Sequence, residues 1–284
     1  MNHQPTDHAP TIVLVHGAWH HAYHWQPVVA HLNDVGRSAL CIDLPGHGTN
    51  VARGGPGTLP PKPGTASAVA DVTIEDAAIA VLDAVRGVGG IRPILVGHSI
   101  GGVIVGRAAE MAPDLFGHLV YVSGHVPVKL KSPAAYAQLP QWQTGYGNDL
   151  FIDNPAVTGV VRIDPHGEAA YLERLRQAYY NDVAYADFLP FARALTPDLP
   201  LSFWMGETEL TAPRWGTVPR TYIRCTLDRA LAPAIQSMMM QEADELTPNN
   251  QFRVFELEAS HSPFASQPQV VADLLAGIRV GHAG

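Results

Sequence analysis

Gly97, Ser99 and Gly101 in the run "GHSIGG" set a serine between glycines two positions away on either side, a spacing that can present a hydroxyl as a nucleophile. The apolar run "RPILV" precedes it and "IGGVIVGRAAEMA" follows, so the serine falls on a turn from strand to helix. Glycines there let neighbouring backbone approach, and the hydroxyl meets a helix N-terminus. A serine hydroxyl is a weak nucleophile near neutral pH unless a base takes its proton, so a histidine oriented by a carboxylate must lie downstream. Asp228 in "YIRCTLDRAL" and His261 in "ELEASHSPF" each follow a strand-like run, which gives the order Ser, Asp, His. Asp228 is also readable as an ordinary turn acid. His118, His125 and His166 precede that carboxylate and are expected at the surface or in an insertion. His98, beside the serine, is expected to point away from it by strand geometry.

The stretch "LVHGAWHHAYHW" gathers His16, His20, His21 and His24 around Gly17. His20 and His24 are spaced to share a helical face, yet no acid lies between them and no HExxH pattern occurs in the chain, so a metal site is not expected. A loop at the end of the strand "TIVLV" offers another role. Its Ala18 N–H, with the N–H of Ile100 after the serine, can hold a developing oxyanion. Gly17 then lets the backbone turn inward and His16 fixes the loop by hydrogen bonds, while His20, His21 and His24 are expected to be exposed. No cofactor is implied.

The elements that must position these groups are short apolar runs at 11–16, 38–43, 92–97, 119–124, 220–225 and 253–258, read as buried strands of a mostly parallel sheet. Helix-like segments at 25–36, 74–86, 100–112 and 266–279 alternate with them, so the class is α/β. The Gly/Pro-rich segment 50–67 can only be a long surface loop. Amphipathic patterns at 169–180 and 184–195 lie in a region without a convincing core strand. The expected organisation is a flexible tail at 1–10, a core of 11–125 and 217–284, and a helical cap at 126–216. Cap aromatics Trp142, Tyr146, Phe151, Tyr179, Phe188, Phe191 and Trp204 suggest an apolar pocket. Trp19, His98, Trp142, Tyr179 and Phe188 are its candidate lining.

At 284 residues and 46% hydrophobic, the chain can bury one large core. A net charge of −8, with three lysines and no basic run, removes the electrostatic footprint of a nucleic-acid binder. No apolar stretch has the length of a membrane span and the first ten residues are polar, so a soluble cytoplasmic protein is expected. Cys41 and Cys225 read as small buried hydrophobes. The sequence leaves the oligomeric state open, monomer or homodimer.

The segments "HGAWHHAYHW", "DLPGHG", "GHSIGG", "YYND", "VPRTYIRCTLDRAL" and "SHSPFASQP" together resemble the plant methylesterase and hydroxynitrile lyase group of α/β-hydrolases and its bacterial esterase relatives. The resemblance spans roughly residues 11–279. It implies an α/β-hydrolase fold, a triad of Ser99, Asp228 and His261, oxyanion donors Ala18 and Ile100, and a site beneath the cap. The cyanohydrin lyases resembled here carry threonine where this chain has Gly17, lysine where it has Ser262, and favour an acid where it has His98, which argues against cyanohydrin cleavage. The expected reaction is hydrolysis of a small or medium hydrophobic ester, a methyl ester among the options, through an acyl-enzyme. The rivals are a non-hydrolytic enzyme using His261 as base, and a ligand-binding receptor with vestigial turnover.

Overall fold

The computed structural model describes residues 9–50, 57–142 and 147–280. The strands are β1 (Ile12–Val15), β2 (Ala39–Ile42), β3 (Ile94–His98), β4 (His118–Val122), β5 (Val160–Arg162), β6 (Asp198–Pro200), β7 (Arg220–Cys225) and β8 (Arg253–Leu257). Six of them form one sheet in the order β2-β1-β3-β4-β7-β8, parallel at every pairing. In β1 all four side chains are fully buried, as a strand covered on both faces requires.

The helices are α1 (Gln26–Asp34), α2 (Ile74–Arg86), α3 (Gly101–Met111), α4 (Pro133–Ala137), α5 (Pro155–Thr158), α6 (Ala169–Tyr179), α7 (Tyr185–Ala194), α8 (Leu201–Met205), α9 (Pro233–Leu246), α10 (Pro263–Ser266) and α11 (Pro268–Ala276). Outside the insertion, α1 packs on α11 and α2 on α3, and α9 lies against β7. Thr73 caps α2 by accepting from Asp76 N–H while the Asp76 carboxylate accepts from Thr73 N–H, which fixes where that helix starts. Strand order reverses at β1, which has β2 on one side and β3 on the other. The crevice outside the carboxyl ends of β1 and β3 is therefore the topological switch point where open α/β sheets bind ligands.

Between β4 and β7 the chain forms α4 to α8 and one element not expected there. β5 and β6 pair antiparallel in a two-stranded sheet, so the insertion is not purely helical. Three-residue strands, one ending in proline, are too short to leave a periodic signal. Their junction holds Arg162, fully buried, whose guanidinium donates to both Asp198 carboxylate oxygens (2.6 and 3.0 Å), to Asp153 (2.7 Å) and to the Thr65 carbonyl (3.2 Å). One side chain thus ties the insertion's sheet to the loop that follows β2. Of the two cysteines, Cys225 is buried and Cys41 only half buried, and both are free thiols. No described helix is long and apolar enough to cross a membrane.

Candidate active site

Ser99 stands between β3 and α3 with φ +51°, a left-handed conformation that costs a non-glycine residue roughly 1–3 kcal/mol and is held only when its surroundings impose it. Here the surroundings are explicit. The Ser99 N–H donates to Val122 O, and its carbonyl accepts from the N–H groups of Gly102 and His125 at 3.0 and 2.9 Å. A Cβ at Gly97 would meet Gly101 O at 2.8 Å, and one at Gly101 would meet His16 O at 2.5 Å, so both glycines of the motif are sterically required.

The carboxyl ends of β7 and β8 supply the other two groups. His261 Nδ1–H donates to Asp228 Oδ2 at 2.7 Å, and both side chains are buried. That bond fixes the tautomer and leaves Nε2 with the acceptor lone pair. Asp228 is itself fully engaged: Oδ1 accepts from the N–H groups of Ala230 and Leu231, each at 2.8 Å, and Oδ2 from Gln236 Nε2 at 3.0 Å. Gln236 escaped the sequence reading. The signal was a polar residue on the buried stripe of α9, beside Ile235, Met239, Met240 and Ala243.

The loop after β1 abuts Ser99. A Cβ on Gly17 would lie 2.6 Å from His98 Nδ1 and 2.9 Å from Ser99 Cβ. Glycine at 17 and histidine at 98 are therefore one packing arrangement: a side chain at position 17 could not coexist with this His98. His16 Nδ1–H donates to Gly17 O at 2.9 Å and its Nε2 accepts from Leu44 N–H at 3.0 Å, so it does fix the loop. Trp19 follows with φ +60°, locked because its indole N–H donates to Val161 O (2.9 Å) and its carbonyl accepts from Thr196 N–H (2.7 Å).

The remaining histidines of this stretch correct the expectation of exposure: His20, His21 and His24 are all buried. A carbonyl only accepts, so His20 Nδ1–H donates to Ala18 O at 2.6 Å and its Nε2 accepts from Tyr180 O–H at 2.6 Å. His21 and His24 donate their Nε2–H groups to Ala194 O and Phe191 O, carbonyls of the last turn of α7 that have no partner within the helix. Burial, then neighbouring histidines, holds His20 well below the ordinary imidazole range and His24 at about 3, so both rings are neutral. Among the described residues no group of histidine, cysteine and carboxylate side chains is arranged to hold a metal ion.

Ser99, His261, Ala18 and Ile100 line one cavity of ≈ 480 Å³, counting its open mouth. Its walls are mainly apolar. Trp19, Phe151 and Tyr179 form one aromatic group, with Tyr179 edge-on to the His261 ring at 5.8 Å. His125, Trp142 and Trp204 form another. Of the candidate pocket residues, Trp19, Trp142 and Tyr179 line this cavity, and two do not. His98 sits behind the site, where its Nε2–H donates to the His261 carbonyl at 2.8 Å. Phe188 packs against Tyr180 and Tyr185 inside the insertion. Tyr146 lies outside the described residues. His125, expected at the surface or in the insertion, is instead buried in the cavity wall, which its place just beyond the carboxyl end of β4 could have signalled.

The "YYND" segment turns out to be a clasp. Tyr180 O–H reaches the β1 loop through His20, Asn181 Nδ2 donates to Leu227 O (3.2 Å) beside Asp228, and Asp182 Oδ2 accepts from Ser260 N–H (2.9 Å) beside His261. Three consecutive residues of the insertion thus hold the loops that follow β1, β7 and β8.

A sequence profile described as the alpha/beta hydrolase family matches residues 12–274. Putative methylesterase 14, chloroplastic, of Arabidopsis thaliana is 30% identical over 276 residues, covering 93% of this chain and 70% of the relative. Methyl jasmonate esterase 1 of Vitis vinifera is 28% identical, covering 90% of this chain and 91% of the relative. Among solved structures, a pyrethroid hydrolase from Sphingobium faniae JZ-2 superposes with a TM-score of 0.76 at 24% identity, over 94% of this chain and 96% of that one. Polyneuridine aldehyde esterase gives 0.71 at 22% identity over 94% and 98%.

Proposed function

The chain belongs to the alpha/beta hydrolase family, and from that premise we propose that it is a serine-dependent carboxylic ester hydrolase acting on a small or medium hydrophobic ester, with Ser99, His261 and Asp228 as the triad. The observation that carries the reading is that the imidazole held by Asp228 at 2.7 Å and the strained serine line one largely apolar cavity, together with Ala18 and Ile100.

In this reading His261 Nε2 takes the Ser99 proton as Oγ attacks the ester carbonyl, and the imidazolium is stabilised by Asp228. The Ala18 and Ile100 N–H groups receive the oxyanion, an interaction of the kind whose loss costs about 10²- to 10³-fold in rate. His261 then gives its proton to the departing alcohol. Water, deprotonated by the same imidazole, attacks the acyl-enzyme and restores Ser99. Methylesterase relatives support a methyl ester as the first alcohol half to test. The apolar cavity supports a hydrophobic acyl half.

Stopped-flow hydrolysis of p-nitrophenyl acetate by wild type and Ser99→Ala, with mass spectrometry of the quenched protein, tests this. A burst and an acetyl group on Ser99 in the wild type alone are expected. A folded wild type that forms no adduct would point instead to non-hydrolytic chemistry with His261 as base, or to a binding protein without turnover.

A further inference from the structure

The cavity wall contains a side chain that the ester mechanism leaves unused. His125 follows β4, is 3% exposed, and has its backbone N–H fixed on the Ser99 carbonyl at 2.9 Å. Its ring lies against Trp142, nearly parallel at 5.8 Å between centroids, and edge-on to Trp204 at 6.0 Å. Those two indoles fix the imidazole in orientation. Its Nδ1 is buried and finds no hydrogen-bond partner among the described residues.

Burial first, then the nearby His261, lowers the His125 pKa to about 3, so the ring is neutral at working pH and carries one N–H donor and one acceptor lone pair. A buried polar atom left unpaired is a standing cost, whereas the same wall could hold a phenylalanine at no such cost. The triad and the two oxyanion donors already account for the scissile ester. A further hydrogen-bonding group in an otherwise aromatic wall has a use only if the bound molecule brings a second polar group to it.

We propose that His125 is a specificity-determining residue, and that the preferred substrates are hydrophobic esters bearing a hydroxyl apart from the ester group, which pairs with the His125 imidazole. A hydroxyl fits because it donates to a lone pair or accepts from an N–H, and so satisfies whichever nitrogen meets it. A site built to pair with a polar group discriminates against an analogue lacking it more strongly than an apolar pocket discriminates by size, because the analogue leaves the site's own group unpaired. This inference rests on the esterase reading and extends it from reaction to substrate class.

The experiment compares kcat/KM for methyl 4-phenylbutanoate with that for its 2-hydroxy and 3-hydroxy derivatives, for wild type, His125→Phe and His125→Gln, each checked for folding by circular dichroism. In the wild type at least one hydroxy ester should exceed the parent ester by about 10-fold, the size of one net hydrogen bond in a dry pocket. His125→Phe should abolish that ratio whatever it does to the parent rate. His125→Gln, which keeps a donor and an acceptor, should retain part of it. Hydrolysis of all three esters by the wild type without preference, or a preference that survives in His125→Phe, overturns the inference and leaves the esterase reading intact. Failure of the wild type to hydrolyse any of the three while it still forms the acetyl-Ser99 adduct with p-nitrophenyl acetate overturns this inference alone, and failure in both assays overturns the esterase reading and this inference with it.

Discussion

At the scale of single residues, Asp228 is the most constrained group of the site. Its two oxygens accept from two backbone amides, one side-chain amide and His261. An asparagine there keeps the volume and one carboxamide oxygen, but that oxygen can accept either from His261 and Gln236 or from the N–H groups of Ala230 and Leu231, and its NH2 then faces the donors that are left. Asp228→Asn is expected to lower kcat by about 10³- to 10⁴-fold in the manner of triad carboxylates. A thermal midpoint within a few degrees of wild type, read by calorimetry beside steady-state rates, would separate lost chemistry from lost fold; near-normal turnover would remove Asp228 from the mechanism. The sequence made the serine legible because its glycines and flanking elements are local. Asp228 and His261 were legible by order along the chain and by position after strands. Gln236 and His125 were not, because each acquires its meaning from partners that only the folded chain identifies: Asp228 and Leu231 around one, Trp142 and Trp204 around the other.

Among elements, the insertion depends on Arg162 in a way its short strands cannot supply alone. Removing a partner from a buried ion pair costs about 3–5 kcal/mol, because the abandoned charge stays buried. Arg162→Leu leaves Asp153 and Asp198 facing each other without their cation, so a loss of that order is expected in urea unfolding followed by tryptophan fluorescence. A loss below about 1 kcal/mol would mean that the pair of strands stands without it. The inner strands β1, β3 and β4 were readable because both faces are buried and their runs are almost wholly apolar, whereas β8 at the sheet edge, expected to be buried, is largely exposed. β5 and β6 were invisible for the opposite reason, since their pairing is dictated by Arg162 and by the chain they rest on. The three histidines expected in solvent show the same limit. Polar residues in a loop default to the surface unless a partner is known, and here the partners are α7 carbonyls and Tyr180, more than 150 positions along the chain.

Across the whole molecule, the buried histidines set a pH dependence. Burial, as first cause, holds His16, His20, His24, His47, His98 and His125 below the ordinary imidazole range, with His47 at about 4. In the unfolded chain these rings titrate near pH 6.5. Above that pH both states hold them neutral and stability is unaffected. As pH falls through about 6.5 the unfolded chain binds protons that the folded chain refuses, so stability falls continuously towards the folded-state values. Urea midpoints measured from pH 7.5 to 5.0 should decline steeply, with proton uptake on unfolding approaching six from these side chains. A flat profile over that range would show that the rings protonate in place.

The contacts from His20, His21, His24 and Trp19 to the insertion also bear on protein engineering. In a scaffold whose covering segment is bound only to its own base, substrate range can be changed by transplanting that segment from a relative. Here the recipient loop at 18–24 and the donor segment share hydrogen bonds to Val161, Tyr180, Phe191, Ala194 and Thr196. A chimera that exchanges 126–216 alone would strand buried imidazoles and release the backbone that carries Ala18. The exchangeable unit is the insertion together with the loop after β1, and only as that pair can it be moved between relatives without dismantling the site.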